Sequence, residues 1–189
     1  MKISLPLVPL LAAALAAGVA FPSTAVAAAL ASTTAAGASA MPDAPDAPDP
    51  AVLAQLEQAT RDGRFGAAYK RGLRSAPPGD IRDRVLALDD DIVGGVFARI
   101  AARRFDLVEA TAIAAFYASP DGRALTRSQL ADPLGPKPTV TPEQRKSIAA
   151  FFASPTGAKF NTLLSDAAFL EELQLALAFI AGPGKQPAR

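Results

Sequence analysis

Two seven-residue segments of this chain are almost identical and lie 35 positions apart: FYASPDG from Phe116 to Gly122, and FFASPTG from Phe151 to Gly157. We call them the first and second repeat segments. In each, the proline disfavours helical geometry at the serine before it, so a helix ends there. The same proline suits the first turn of a new helix, whose free amides the serine hydroxyl can cap. Each repeat segment therefore predicts a corner between two helices with almost no loop.

The other residues of the repeat segments have predicted roles in the same corners. We expect the paired aromatic rings to lie in a core, and the glycine at the third helical position to let neighbouring backbone approach closely. The residues of this structural motif are Phe116, Tyr117, Ser119, Pro120 and Gly122 in the first copy, and Phe151, Phe152, Ser154, Pro155 and Gly157 in the second. The shared spacing indicates repeat units of about residues 106–131 and 141–166. Both units open with an N-cap residue and a Glu or Gln three positions later, the spacing of a capping box.

Apolar residues recur every three or four positions through the rest of the chain, which is the spacing of one helix face. Short helices are predicted at residues 51–62 and 64–74, and a last helix from about Asp166 to Ala181. That last helix is expected to turn Phe169, Leu173, Leu177 and Ile180 inward. The sequence therefore predicts an all-α domain over residues 51–182. We expect a compact bundle of about six to eight helices with an internal two-fold repeat.

The longest helix is predicted to begin at Asp80, after a helix-breaking Pro-Pro-Gly sequence, and to continue past Ile100. Its apolar stripe consists of Ile81, Val85, Leu88, Ile92, Val96 and Ile100. Gly94 and Gly95 interrupt this stripe. Because two adjacent glycines weaken a helix by about 2 kcal/mol relative to alanines, we expect a kink or a close helix crossing there.

Residues 1–27 have the pattern of a secretory signal peptide. Lys2 is the only charge, an apolar run extends from Leu10 to Phe21, and Ala25-Val26-Ala27 is a small-x-small cleavage site. Ala38-Ser39-Ala40 is an alternative cleavage site. A membrane-spanning anchor is the competing interpretation, but two early prolines leave the run shorter than the roughly 20 residues that a spanning helix needs. We therefore expect an exported protein, either periplasmic or secreted.

Residues 28–50 are rich in Ala, Ser, Thr, Gly and Pro and end in MPDAPDAPDP. No large apolar residue follows Met41 in this stretch, so ordering it would cost conformational entropy with little return. We expect a disordered linker, kept extended by its prolines. At the other end, a Gly-Pro-Gly sequence is expected to end the last helix and to leave residues 183–189 as a tail.

The ionisable residues exclude several classes of function. The chain has no His and no Cys, which excludes Ser-His-Asp and Cys-His catalysis, thiolate zinc sites and disulfides. Cleavage after Ala27 removes one of the 19 basic residues, which leaves 18 Lys and Arg against 18 Asp and Glu. This neutral balance argues against nucleic-acid binding, because phosphate contacts require an excess of positive charge. We expect no metal and no cofactor.

The stretch from about Phe97 to Phe160 resembles the bacterial exported family called domain of unknown function 2059. The resemblance rests on Phe105, Glu109, Ile113 and the sequence FYASPDGR, since that family combines an acidic helix, an aromatic pair, Ser-Pro-x-Gly and basic residues. It covers about a third of the chain. This chain departs from the family in its second copy of the motif and its acidic, proline-rich linker. The resemblance implies an exported helical domain and no established chemistry.

Cations are concentrated in residues 61–74. Arg61, Arg64, Lys70, Arg71 and Arg74 accompany a single acidic residue, with Phe65 and Tyr69 between them. A basic amphipathic helix outside the cytoplasm could contact anionic lipid head groups or an acidic envelope polymer. In the competing interpretation, the aromatic residues join the core and the cations lie in water.

Carboxylates are the remaining catalytic candidates. Asp89, Asp90 and Asp91 are consecutive, and consecutive helical residues point about 100° apart, so a solvated helix face is favoured over a metal site. A glycosidase-like acid and base could come from Glu109, Glu143, Asp166, Glu171 and Glu172, which the sequence alone does not pair. Ser119 and Ser154 have no nearby base, so a capping role is favoured over a nucleophilic one.

These observations favour a non-catalytic interaction module of the envelope or periplasm, which binds an unknown protein or envelope component. Two alternatives stay open. One is a carboxylate-dependent glycan hydrolase. The other is a membrane-surface binder that uses the basic residues 61–74.

Overall fold

The computed structural model describes residues 47–132, 135 and 138–182. The predicted signal peptide, most of the predicted linker and the tail 183–189 lie outside these residues. The described part is all-helical, as predicted, with nine α-helices. They are α1 (Pro50–Asp62), α2 (Phe65–Arg74), α3 (Asp80–Ala87), α4 (Asp90–Ala101), α5 (Leu107–Ala118), α6 (Pro120–Leu130), α7 (Pro142–Ala153), α8 (Pro155–Ser165) and α9 (Ala167–Ile180).

The count exceeds the predicted six to eight because the predicted long helix is two helices. The backbone is extended at Leu88 and Asp89, with ψ of 152° and 147°, so α3 ends before α4 begins. Lys70 of α2 stabilises this break: its Nζ donates to the Leu88 carbonyl at 2.6 Å and pairs with Asp90 at 2.9 Å. The predicted apolar stripe is therefore not continuous, and Ile81 and Ile92 are exposed.

The two adjacent glycines do not interrupt α4, which is continuous from Asp90 to Ala101. Gly94 lies where α4 crosses α1, and a Cβ there would contact the Thr60 side chain at 3.5 Å. Gly95 faces open space. A tighter approach occurs at Gly66 in the first turn of α2, where a Cβ would lie 2.0 Å from the Asp90 carbonyl oxygen.

The core forms around α1, which packs most extensively against α5 and α4. Six aromatic rings connect α2, α4, α5, α8, α9 and the segment before α5 at its centre: Phe65, Phe97, Phe105, Tyr117, Phe160 and Phe169. Helix α9 closes the bundle and buries Phe169, Leu173 and Leu177. The prediction that Ile180 also faces inward is wrong, because its side chain is 47% exposed beyond the buried turns of α9.

The two repeat units have the same local structure. Helices α7 and α8 begin and end 35 positions after α5 and α6, and both units open with a capping box. In each corner the serine hydroxyl accepts from the glycine amide, at 3.0 Å for Ser119 and 3.1 Å for Ser154. Each hydroxyl also donates, at 2.6 Å, to a carbonyl in the last turn of the preceding helix.

The aromatic pairs of the two corners meet each other. Phe116 and Phe151 stack in parallel, with ring centroids 3.9 Å apart and planes 3° apart. Tyr117 is fully buried, whereas Phe116, Phe151 and Phe152 are only half-buried against the core. Of the four rings expected inside the core, only Tyr117 is fully buried. The other three join the two repeat units.

Gly157→Ala tests the close approach in the second corner. A Cβ at Gly157 would lie 2.0 Å from the Phe151 carbonyl oxygen, so we expect the free energy of unfolding to fall by about 1 to 3 kcal/mol. Gly95→Ala, measured at low protein concentration, is the matched control, because its Cβ would meet nothing within 4 Å in its own chain and should add about 1 kcal/mol of helix stability. Urea unfolding of both variants measures the difference. A neutral Gly157 variant would contradict the tight corner.

A double-mutant cycle of Phe116→Ala and Phe151→Ala tests the contact between the repeat units. Stacked rings interact beyond their buried area, so we expect a coupling free energy of about 1 kcal/mol. The pair Phe116 and Phe179, which share no ring contact among the described residues, should be additive within about 0.5 kcal/mol. Equal coupling in both cycles would mean that the stack does not join the units.

Candidate functional site

The corner serines have no free hydroxyl for chemistry. The Oγ atoms of Ser119 and Ser154 each donate one hydrogen bond and accept one, both to backbone groups of their own corner. A nucleophilic serine needs a base that takes its proton. Both protons are instead directed at peptide carbonyls, so these residues serve as caps.

Most of the candidate carboxylates are occupied by structural contacts. Glu109 accepts from the Asp106 amide at 3.0 Å and from Lys159 at 2.6 Å. Asp166 caps α9, and Glu172 pairs with Arg103. A hydrogen bond from its own backbone amide, with a second from Thr141, lowers the pKa of Glu143, which is the wrong direction for a general acid.

The three consecutive aspartates begin α4. Asp89 precedes the helix, and Asp90 and Asp91 lie in its first turn, where the helix dipole favours negative charge. Asp90 pairs with Lys70 at 2.9 Å. Within the described ranges, no group of three or more acidic side chains is arranged to hold a metal ion.

The basic residues 61–74 do not form one free surface. Lys70 is held at the start of α4, and Arg71 donates to the Gln129 carbonyl at the end of α6, at 2.8 Å. Arg61 and Arg64 line a shallow cavity of about 200 Å³ together with two of the aspartates, while Arg74 is exposed. Two of the five cations therefore connect helices, and two of the others share their cavity with negative charge.

A second cavity, larger than the one beside Arg61 and Arg64, is formed by residues that lie far apart in the sequence. It is a groove of about 530 Å³ between α4 and α9, which we call the α4–α9 groove. Helix α4 contributes Ile92, Val96 and Arg99, and α9 contributes Glu172, Ala176, Phe179 and Ile180. Arg103, two residues after the end of α4, also lines the groove, as do Pro48 and Glu57. Arg103 pairs with Glu172 in the first half of α9, and Ile92 at the start of α4 shares the groove with Ile180 at the end of α9, so the two helices are antiparallel.

Large apolar side chains of the groove are exposed to solvent. Phe179 is 86% exposed on its rim, and Ile92 and Ile180 are exposed beside it. Leu175, one turn before Phe179, is 66% exposed and extends the same surface. A helix that buries one face and exposes apolar residues on the opposite face offers a surface for a second partner. The sequence signal was present, since α9 is apolar on most of its circumference.

The groove also carries charges of both signs. Arg103 and Glu172 neutralise each other at one end. Arg99 and Glu57 line the groove too, and neither side chain has an ion pair or hydrogen bond within the part of the chain that the structure describes. Gly95 also lines the groove, in a position where a side chain would meet open space. The groove thus combines an exposed aromatic ring, a glycine and two opposite charges without an ion pair among the described residues.

Comparisons of the chain with protein-family models, curated proteins and solved structures find no match. The resemblance to domain of unknown function 2059 therefore stays a prediction. Among the described helices, none combines the length and apolar character required to cross a membrane.

Tyr117→Phe tests the one aromatic hydroxyl at the centre of the core. The Tyr117 hydroxyl is buried and has no hydrogen-bond partner among the described residues. An unpaired buried hydroxyl destabilises the folded state, so its removal should raise the free energy of unfolding by about 1 kcal/mol. Phe152, the equivalent residue of the second repeat segment, is the natural model for the substitution. Urea unfolding at neutral pH measures the change, and a clear loss of stability would mean that the hydroxyl is paired.

The same variant has a predicted pH dependence. Burial raises the pKa of Tyr117, and burial raises the pKa of Tyr69 to about 12, above the value of about 10 for an exposed tyrosine. The unfolded chain therefore releases protons that the folded chain retains, and stability falls as the pH rises above about 10. Tyr117→Phe removes one of these two contributions, so its stability should fall less steeply above that pH. Equal slopes would contradict the burial of Tyr117.

Proposed function

We propose that the protein is an exported, non-catalytic interaction module of the bacterial envelope, and that the α4–α9 groove binds another protein surface. The observation that carries this proposal is the exposure of Phe179 beside an apolar groove. Aromatic residues that enter apolar pockets supply a large share of the binding energy at protein interfaces. The proposed export rests on the signal-peptide pattern of residues 1–27.

The charges of the groove favour a protein as the bound surface. An anionic lipid surface attracts a cluster of cations without acids. The groove instead contains Arg99 and Arg103 together with Glu57 and Glu172. A protein surface can match both signs, with a polar rim around an apolar centre.

The two alternative functions have less support. The membrane-surface alternative required five free cations in residues 61–74, and Lys70 and Arg71 are bound to carbonyl groups of other helices. The glycan-hydrolase alternative required an acid with a raised pKa beside a free base. Glu109 and Glu172 are in ion pairs, and the pKa of Glu143 is lowered.

Site-specific photo-crosslinking in living cells tests the proposal. A benzophenone amino acid at position 179 should form adducts with protein after illumination, because that side chain would lie in the interface. The matched control carries the same amino acid at position 108, since Val108 is 79% exposed on α5 and does not line the groove. Protein adducts from position 179 alone support the proposal. Adducts with lipid only, or equal adducts from both positions, contradict it.

A further inference from the structure

We propose that the occupant of the α4–α9 groove is a second copy of this chain. The inference rests on the proposed function, since it names the protein surface that the groove binds. In the resulting two-fold symmetric dimer, Phe179 of each copy enters the groove of the other. Glu57 of each copy then pairs with Arg99 of its partner.

Shape is the first argument. A two-fold interface uses the same surface of both copies, so it must contain a protrusion and a matching depression. The α4–α9 groove has this property. Phe179 protrudes from its rim, 86% exposed, directly beside a cavity of about 530 Å³. A half-turn rotation places each ring over the cavity of the other copy.

Charge is the second argument. Glu57 and Arg99 are the opposite charges of the groove that have no described partner within the chain. Across a two-fold axis, a residue that contacts a second residue is contacted by it in return. A single arrangement of the two copies therefore forms two equivalent ion pairs. A different protein would need the reverse pattern on its own surface, whereas a second copy supplies it by symmetry.

Gly95 is the third argument. A glycine in the middle of a helix destabilises it relative to alanine, so its presence needs a reason. Within its own chain no neighbouring atom requires a glycine at position 95, because a Cβ would meet nothing within 4 Å. In the dimer the missing side chain lets the incoming ring lie against the backbone of α4. Leu175, exposed one turn before Phe179, extends the apolar contact.

Sedimentation velocity of the purified exported chain over a range of concentrations tests the dimer. We expect a species of twice the chain mass. Phe179→Ala should raise the dissociation constant of the dimer by about thirtyfold, as expected for a central aromatic residue. Val108→Ala, at a similarly exposed residue outside the groove, should leave it unchanged. At a concentration low enough for the native chain to be monomeric, thermal unfolding of both variants should match the native chain, because neither side chain is packed in the core.

A charge-reversal cycle makes the test specific for the proposed geometry. Glu57→Arg and Arg99→Glu should each weaken the dimer by about tenfold, because each places like charges opposite one another. The double variant restores both pairs and should recover the native dissociation constant within about threefold. A double variant as weak as the single ones would overturn the pairing.

The result also separates this inference from the proposed function. A chain that stays monomeric at all concentrations, while position 179 still cross-links to a different protein, overturns the dimer and leaves the interaction module. A dimer unaffected by Phe179→Ala overturns the inference, since another surface then forms it. A monomeric chain without protein adducts from position 179 overturns both.

Discussion

The hydroxyl of Ser119 closes α5 and opens α6, and the hydroxyl of Ser154 does the same for α7 and α8. A single atom therefore satisfies one carbonyl and one amide that helix ends otherwise leave unpaired. Because no loop separates the two helices, their crossing direction is set by the backbone of the corner. Glycine at the third helical position then brings the first turn of the new helix against the last turn of the old one. The stacked rings of Phe116 and Phe151, each three residues before the serine of its corner, then join the two corners.

Longer-range order depends on cations that bind the carboxyl ends of helices. Lys70 donates to the end of α3, Arg71 to the end of α6, Arg82 to the end of α2 and Arg84 to the end of α9. Terminal carbonyls are unpaired within their own helices and carry partial negative charge, so a cation satisfies both needs. In a chain without cysteine, these contacts connect helices that share little apolar surface. The same contacts explain why a basic stretch in the sequence does not become a basic surface.

A feature of this structure is predictable from the sequence when the residues that determine it lie close together in the chain. The corners, the capping boxes and the helical class follow from residues within four positions of one another, and the sequence predicts them. The break at Leu88 depends on Lys70, which is 18 positions away, so the periodic apolar pattern through this region predicted one long helix. Ile180 continues the spacing of Phe169, Leu173 and Leu177, which predicts a place in the core, but the core ends before it. The spacing of apolar residues shows which face of a helix a residue occupies. It does not show how far along the helix the core extends.

The same limit applies to the α4–α9 groove, whose residues come from helices about 80 positions apart. The sequence of α9 is apolar on most of its circumference, but this pattern does not indicate which helix lies beside its exposed residues. Only the packing of α4 against α9 brings Ile92 and Phe179 to the same opening, which Glu57 of α1 lines as well. Neither Arg99 nor Glu57 has an ion pair among the described residues. Exposed aromatic surface carries a risk of aggregation, and unpaired charge beside it contributes nothing to the stability of the monomer. A surface with both features is therefore better explained by a bound state than by the fold of one chain, and the two-fold dimer satisfies its shape and its charges together.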